Sequence, residues 1–156
     1  MRSKAPLALM EQLIMVLVFA LAAALCLRAF VLADQMSERS AARDRAVMEC
    51  QTAAEILKAS GGDMGHAFAD LAQKMNAAGS LEIMQIGYDK DWNRLPPEKS
   101  EDFVYIVDIQ GVPADVDGLW KADIRAAANE DISVGGSGED LFRMSVTWQM
   151  EVSPLG

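Results

Sequence analysis

The residues most able to do chemistry are two cysteines, one histidine and the polar side chains of a few short loops. In "DKDWN", Asp89, Asp91 and Asn93 stand at alternate positions, three oxygen donors spaced like the start of a calcium loop. A complete EF-hand loop needs glycine at its sixth place and glutamate at its twelfth, and those places hold Arg94 and Ser100. A solvated turn is therefore expected, with Asp89, Asp91 and Asn93 as a weak calcium candidate only. Cys26 and Cys50 would stand about 36 Å apart on one continuous helix at 1.5 Å per residue, far beyond the ~7 Å Cα limit for a disulfide. Both are read as small apolar residues. His66, the single histidine, falls off its local apolar stripe and is expected at the surface. With no cysteine pair at ligand spacing, the chain excludes a zinc site. The "VGGSGED" stretch has neither a lysine nor a following helix, so it reads as a hairpin loop and not a phosphate cradle. Acids in "EKSED" and "NEDI" are scattered over polar loops, and the ten methionines fall mostly on apolar faces, where they fill core space. No enzyme, metal centre or cofactor is expected.

Charge excludes another class. The chain of 156 residues carries 14 Lys+Arg against 23 Asp+Glu, a net charge of -9. A nucleic-acid binder needs the opposite sign to meet phosphates. The length suits one small domain plus an anchor.

The anchor is the segment 7–33. From Leu7 to Ala33 the chain is apolar except for Glu11, Gln12 and Arg28. Leu13 to Leu27 is uninterrupted but short of the roughly 20 residues that span a bilayer. Extension through "RAFVLA" supplies the length, with Arg28 snorkelling its head toward the interface. Arg2 and Lys4 precede the segment and Asp34 and Glu38 follow it, so the positive-inside rule leaves the N-terminus in the cytoplasm and the bulk of the chain outside. The same residues admit a removable secretory signal, with Val31 and Ala33 as the small residues before cleavage at Ala33–Asp34. A lipoprotein signal ending at Cys26 fits less well, because Leu25 stands where a small residue is expected.

Glu11 is the discordant residue. An acid well inside a bilayer costs roughly 2.5–3.5 kcal/mol on insertion scales, so it must sit shallow or have a partner. The layout "LALME" followed by "QLIMVLVFALAAALCL" resembles the N-terminus of type IV pilins and of the pseudopilins of type II secretion and competence systems. Members have a short basic leader, then an apolar helix with a lone glutamate at its fifth mature position. Glu11 takes that place if Leu7 is the first mature residue. The resemblance implies that apolar helices pack into a fibre, with Glu11 pairing the N-terminal amine of a neighbour and setting axial register. It also implies a prepilin peptidase acting among Ala5, Pro6 and Leu7. The family cleaves after glycine, sometimes alanine, and "KAPLALME" contains no glycine. The alternative is that Glu11 simply lies at the cytoplasmic interface.

Beyond the anchor, no Gly or Pro occurs until Gly61, so an amphipathic stalk helix is expected over 34–60. Val47, Cys50, Ala54 and Leu57 form its apolar stripe, and Arg45 and Glu49 an exposed i,i+4 pair. A head over 61–156 begins with a short helix, N-capped by Asp63, that buries Met64, Ala67, Phe68, Leu71 and Met75. Period-2 alternation then predicts strands. "FVYIVDIQ" puts Phe103, Tyr105, Val107 and Ile109 on one face, and "LWKADIRAAA" does so with Trp120, Ala122, Ile124 and Ala126. "LFRMSVTWQMEV" turns Phe142, Met144, Val146, Trp148, Met150 and Val152 inward. "IMQIGY" is a fourth, less regular strand. The expected fold class is α+β: a long N-terminal helix, membrane-spanning in its first half and packed on a small antiparallel sheet. That head is also what the pilin resemblance implies. Expected partners are the membrane and other pilin-like subunits, or the membrane alone if residues 1–33 are only a signal or tether for an accessory domain. Residues 1–6 would be the leader.

Overall fold

The computed structural model describes residues 5–60, 64–80, 82–114, 116, 118–129 and 140–149. Its elements are α1 (Ala5–Ala59), α2 (Met64–Met75), β1 (Ala78–Gly79), β2 (Ile83–Tyr88), β3 (Arg94–Leu95), a 3-10 turn (Pro97–Asp102), β4 (Tyr105–Val112), β5 (Leu119–Ala128) and β6 (Asp140–Gln149). The chain divides into two compact units, Met1–Ala41 and Ala42–Gly156.

Continuity of α1 follows from composition. Pro6 falls in the first turn, where its missing amide would have had no helical acceptor. No Gly or Pro follows it within the helix. In the first unit the side chains stay exposed on all sides, Leu9, Phe19 and Phe30 among them. In the second unit α1 buries Ala46, Cys50, Ala53, Ala54 and Leu57. Val47, expected in the stripe, is only half-buried, and Ala46 and Ala53 complete the face instead. Alanines carry little hydrophobic signal in a sequence, yet they let a helix approach a sheet closely.

The sheet is antiparallel, in the order β1-β2-β4-β5-β6, with β3 also paired to β2. The fold is thus α+β, a long helix packed on a small antiparallel sheet. The inner rows include those the alternation marks, Val107 and Ile109, Ala122, Ile124 and Ala126, and Val146 and Trp148, and the less regular β2 adds Met84, Ile86 and Tyr88. They join the α1 face and Ala67, Phe68, Leu71 and Met75 of α2 in one core. His66 is exposed. The Asp63 cap, the "VGGSGED" loop up to Glu139, and Met150 and Val152 lie outside the described residues.

Phe103 departs from the expected face. Strand β4 begins at Tyr105, because the amide of Phe103 closes the 3-10 turn on the Ser100 carbonyl. The Asn129 side-chain amide also donates to the Phe103 carbonyl at 2.7 Å. The ring therefore lies on the outer face, against Gly87, where any Cβ would meet it. Register places Ile106 opposite both Gly87 and Ala127, and both Ile106 and Ala127 are buried. This small second cluster requires residue 87 to have no side chain. Gly87→Ala should lower unfolding stability by about 1–3 kcal/mol through overpacking. Adding Phe103→Leu should recover part of that loss, as read by urea denaturation with tryptophan fluorescence.

Candidate functional site

Three places carry the polar chemistry of the described residues: the charges within the apolar segment of the first unit, a clasp in the second that ties α1 to a hairpin, and a ladder on the outer face of the sheet.

In the first unit, α1 between Leu9 and Leu32 exposes large apolar side chains on all sides. The helix is long and apolar enough to cross a membrane. Glu11, Gln12 and Arg28 interrupt it, and all three are exposed. Among the described residues neither Glu11 nor Arg28 has a hydrogen-bond or ion-pair partner. Ala5, Pro6 and Leu7, the cleavage candidates of a prepilin-type leader, lie within the first turns of α1. Ala33 and Asp34, the signal-cleavage alternative, stand within the unbroken helix and are exposed. Cys26 is exposed on the same segment, whereas Cys50 is buried in the head core. Burial, reinforced by the negative charge of Glu49, pushes the Cys50 thiol up to about 12, so it behaves as an inert apolar group.

The head clasp is not legible in the sequence. Glu49 does not pair with Arg45 one turn back. Its carboxylate accepts from the Arg94 guanidinium at 2.8 Å and from the Tyr88 hydroxyl at 2.9 Å. Arg94 also donates to the Lys74 carbonyl at the end of α2, at 3.3 Å. One carboxylate thus links α1, β2 and β3, and Arg94 extends the link to α2. Burial raises the Tyr88 phenol far above its usual range, and the Glu49 charge beside it adds to the rise. Burial pulls on Arg94 in the downward direction, but the bond to Glu49 and its charge outweigh this and hold the guanidinium above its ordinary value. Sequence reading places Glu49 beside Arg45 because helical neighbours are visible there, whereas a partner across the fold is not.

The "DKDWN" stretch is the turn that positions Arg94. The Asp89 carboxylate accepts the backbone N–H of Asp91 at 2.8 Å and that of Asn93 at 2.9 Å, and the Asn93 side-chain amide at 3.0 Å. The Asp89 amide donates to the Asn93 carbonyl at 3.0 Å, closing the loop. Asp89 is therefore the hub of a self-satisfied turn. No group of three or more His, Cys, Asp or Glu that could hold a metal occurs among the described residues. Trp92 takes a left-handed backbone, φ 62°, uncommon for a bulky residue. Its ring stacks on Tyr105 with centroids 4.4 Å apart and tilts against Tyr88 at 5.3 Å. Those aromatic contacts offset the cost of the backbone conformation.

The outer face of the sheet carries a polar ladder. Gln85 donates to Asp108 at 2.8 Å, Asp108 stands opposite Arg125, and Arg125 pairs with Asp140, which also meets Arg143 at 3.0 Å. Burial raises the Asp108 carboxyl, partly countered by Gln85 and Arg125. These groups satisfy one another across the strands.

Comparison of the chain with protein-family models, with curated proteins and with solved structures returns no match. The functional reading rests on the residues themselves.

A double-mutant cycle on Glu49→Gln and Arg94→Met should give a coupling of about 1–2 kcal/mol, typical of a half-buried, hydrogen-bonded pair. Hydrogen bonds from Asn93, side chain first, hold Asp89 below its ordinary value. Its folded pKa is depressed, so the stability it lends the turn is present above the unfolded value and is lost as pH falls through the folded one. Amide exchange at Asp91 and Asn93 should accelerate in that acid window. Asp89→Ala should show the faster exchange already at neutral pH.

Proposed function

We propose that the protein is a pilin-like structural subunit, a minor one, of a type II secretion, competence or type IV pilus-type fibre. It would be anchored in the cytoplasmic membrane with its N-terminus inside and its head outside, and would assemble through α1. The observation that carries the reading is one unbroken helix whose first half exposes apolar side chains all round, with Glu11 as the only acid from Leu9 to Ala33. A simple tether needs an apolar span but has no use for an acid inside it. In a bundle of such helices the carboxylate would meet the N-terminal amine of a neighbouring subunit, and an intramembrane acid becomes a register mark. The head supports the reading by its architecture, an α+β roll in which the later part of α1 is a core element. The role is structural, without catalysis or a bound cofactor, and a prepilin peptidase is the expected processing partner.

The tether reading, in which residues 1–33 anchor or export an accessory domain, separates from this one at Glu11. Glu11→Ala should insert into membranes as the native chain does and fail to enter fibres, read by shearing and immunoblotting. Assembly at the native level would remove the register role and favour the tether. Mass and N-terminal sequence of the protein recovered from cells give the second check. A start at Pro6 or Leu7 supplies the partner amine, and a start at Asp34 removes the anchor altogether.

A further inference from the structure

We propose that Arg28 is a phospholipid-binding residue, its guanidinium engaging a lipid phosphate at the outer boundary of the bilayer and fixing how deep the helix sits. The inference rests on reading α1 as a membrane span, and does not require a fibre.

Three observations lead to it. First, Arg28 lies inside the apolar surface and not at its end. Phe30, Val31 and Leu32 beyond it are 80%, 58% and 52% exposed, so the chain places apolar side chains on both sides of a permanent cation. Second, among the described residues Arg28 has no acid or carbonyl partner. Intrahelical help is also remote, because Asp34 is six residues away and Glu11 lies toward the other end. Third, the spacing fits a bilayer. About 25 Å of helix axis separates Glu11 from Arg28 at 1.5 Å per residue, against a hydrocarbon core of ~30 Å. With the Glu11 carboxylate at the inner boundary, the Arg28 Cα lies about 5 Å below the outer one, within reach of a snorkelling side chain.

Direction refines the picture. Helical Cα–Cβ bonds tilt toward the N-terminus. Glu11 therefore leans naturally toward its own interface, while Arg28 must turn back against the tilt to reach the other. That shortens its reach and leaves Phe30 to Leu32 within about 2 Å of the outer hydrocarbon boundary, at the level of the glycerol groups. A guanidinium presents forked donors that match a phosphate in two-point contact, which an ammonium does not. A phosphodiester anion in a partly dehydrated zone is the partner that satisfies this cation without a second protein.

The test uses the full chain in nanodiscs of phosphatidylcholine loaded at one chain per disc, which removes any second copy. Cys26 is exposed and Cys50 buried, so a nitroxide can be placed on Cys26 alone in detergent before reconstitution. Label depth is read from relaxation by oxygen and by a water-soluble nickel chelate. Guanidino-13C to 31P dephasing is measured in parallel on the native chain and on Arg28→Lys, and the difference between them isolates the signal of Arg28. The expected result is 31P dephasing of a guanidino carbon in the native chain that is absent from Arg28→Lys. The label should also lie about 5 Å deeper in Arg28→Leu, one helical turn, and near its native depth in Arg28→Lys. Unchanged depth in Arg28→Leu, or no dephasing difference, overturns the binding of lipid phosphate while co-flotation with lipid still stands. Failure of the native chain to float with lipid would instead overturn the membrane span on which the proposal depends.

Discussion

Water does not accommodate a helix that is apolar on every side, and α1 before residue 33 is such a helix. An amphipathic helix can bury one stripe against its own domain; this segment has no polar side to turn outward, so its partner must surround it. A bilayer does this, and so does a bundle of identical helices. Each satisfies the apolar side chains equally well, because lipid tails and leucines are alike as solvents. The choice between them is made by the few polar groups, Glu11 above all.

The second unit meets the opposite requirement. From Ala42 onward α1 must pack on one side and face solvent on the other. The buried positions are therefore small: Ala46, Cys50, Ala53 and Ala54, with Leu57 as the one large side chain. The sheet answers in kind on β5, where Ala122 and Ala126 are fully buried. Small residues on both sides allow backbones to approach, but they supply little shape to fix the helix in rotation or along its axis. The Glu49 carboxylate provides that fix. It takes a proton donor from β2 and a cation from β3, and the turn that delivers the cation is locked by Asp89 and by the stacking of Trp92 on Tyr105. A half-buried ion pair of this kind contributes modestly to stability, and its value lies as much in specifying one arrangement.

Much of this is legible in the sequence, for reasons that also mark the limits. Strand 119–128 and the helix 64–75 are visible because a half-buried element repeats its apolar residues at its own period; 83–88 reads less regularly, because the apolar Ile83 stands on the exposed face. The continuous α1 is visible because helix breakers are absent. Alternation misplaces Phe103 because it runs past the true start of β4 into a turn, where side-chain direction is set by the 3-10 geometry and by Asn129. A stripe drawn through Val47 misses Ala46 and Ala53, since an alanine signals burial weakly and the larger Val47 draws the line one residue off the buried face. Counting along the helix pairs Glu49 with Arg45, because only helical neighbours can be paired in that way. Arg94 is 45 residues away, and only the fold brings it close. In the candidate site, Glu11 stands out as an acid in an apolar run and "DKDWN" is legible as a turn, while the role of Asp89 as its hub is not. Three oxygen-bearing residues at alternate places suggest a cation, yet the donors that reach Asp89 are its own loop's amides.

The acids of this chain show how a carboxylate is accommodated in different surroundings. Asp89 sits in solvent and is stabilised by the side-chain amide of Asn93 and by backbone amides, which the turn supplies without help from the rest of the fold. Glu49 is half-buried and requires a full cation and a hydroxyl, which only the packed head can supply. Among the described residues Glu11 has neither amides nor a cation, because a helix interior spends its amides on its own carbonyls and the nearest described cation, Arg28, is about 25 Å along the axis. Whatever satisfies Glu11 must therefore come from outside the described residues: interfacial water or the basic leader residues Arg2 and Lys4 if it lies at the membrane boundary, or a neighbour's amine if it lies within a bundle. Water would satisfy an acid at any azimuth and at a range of depths. A neighbour's amine would satisfy it at one position only, so a register role demands a defined partner where an interfacial role demands none.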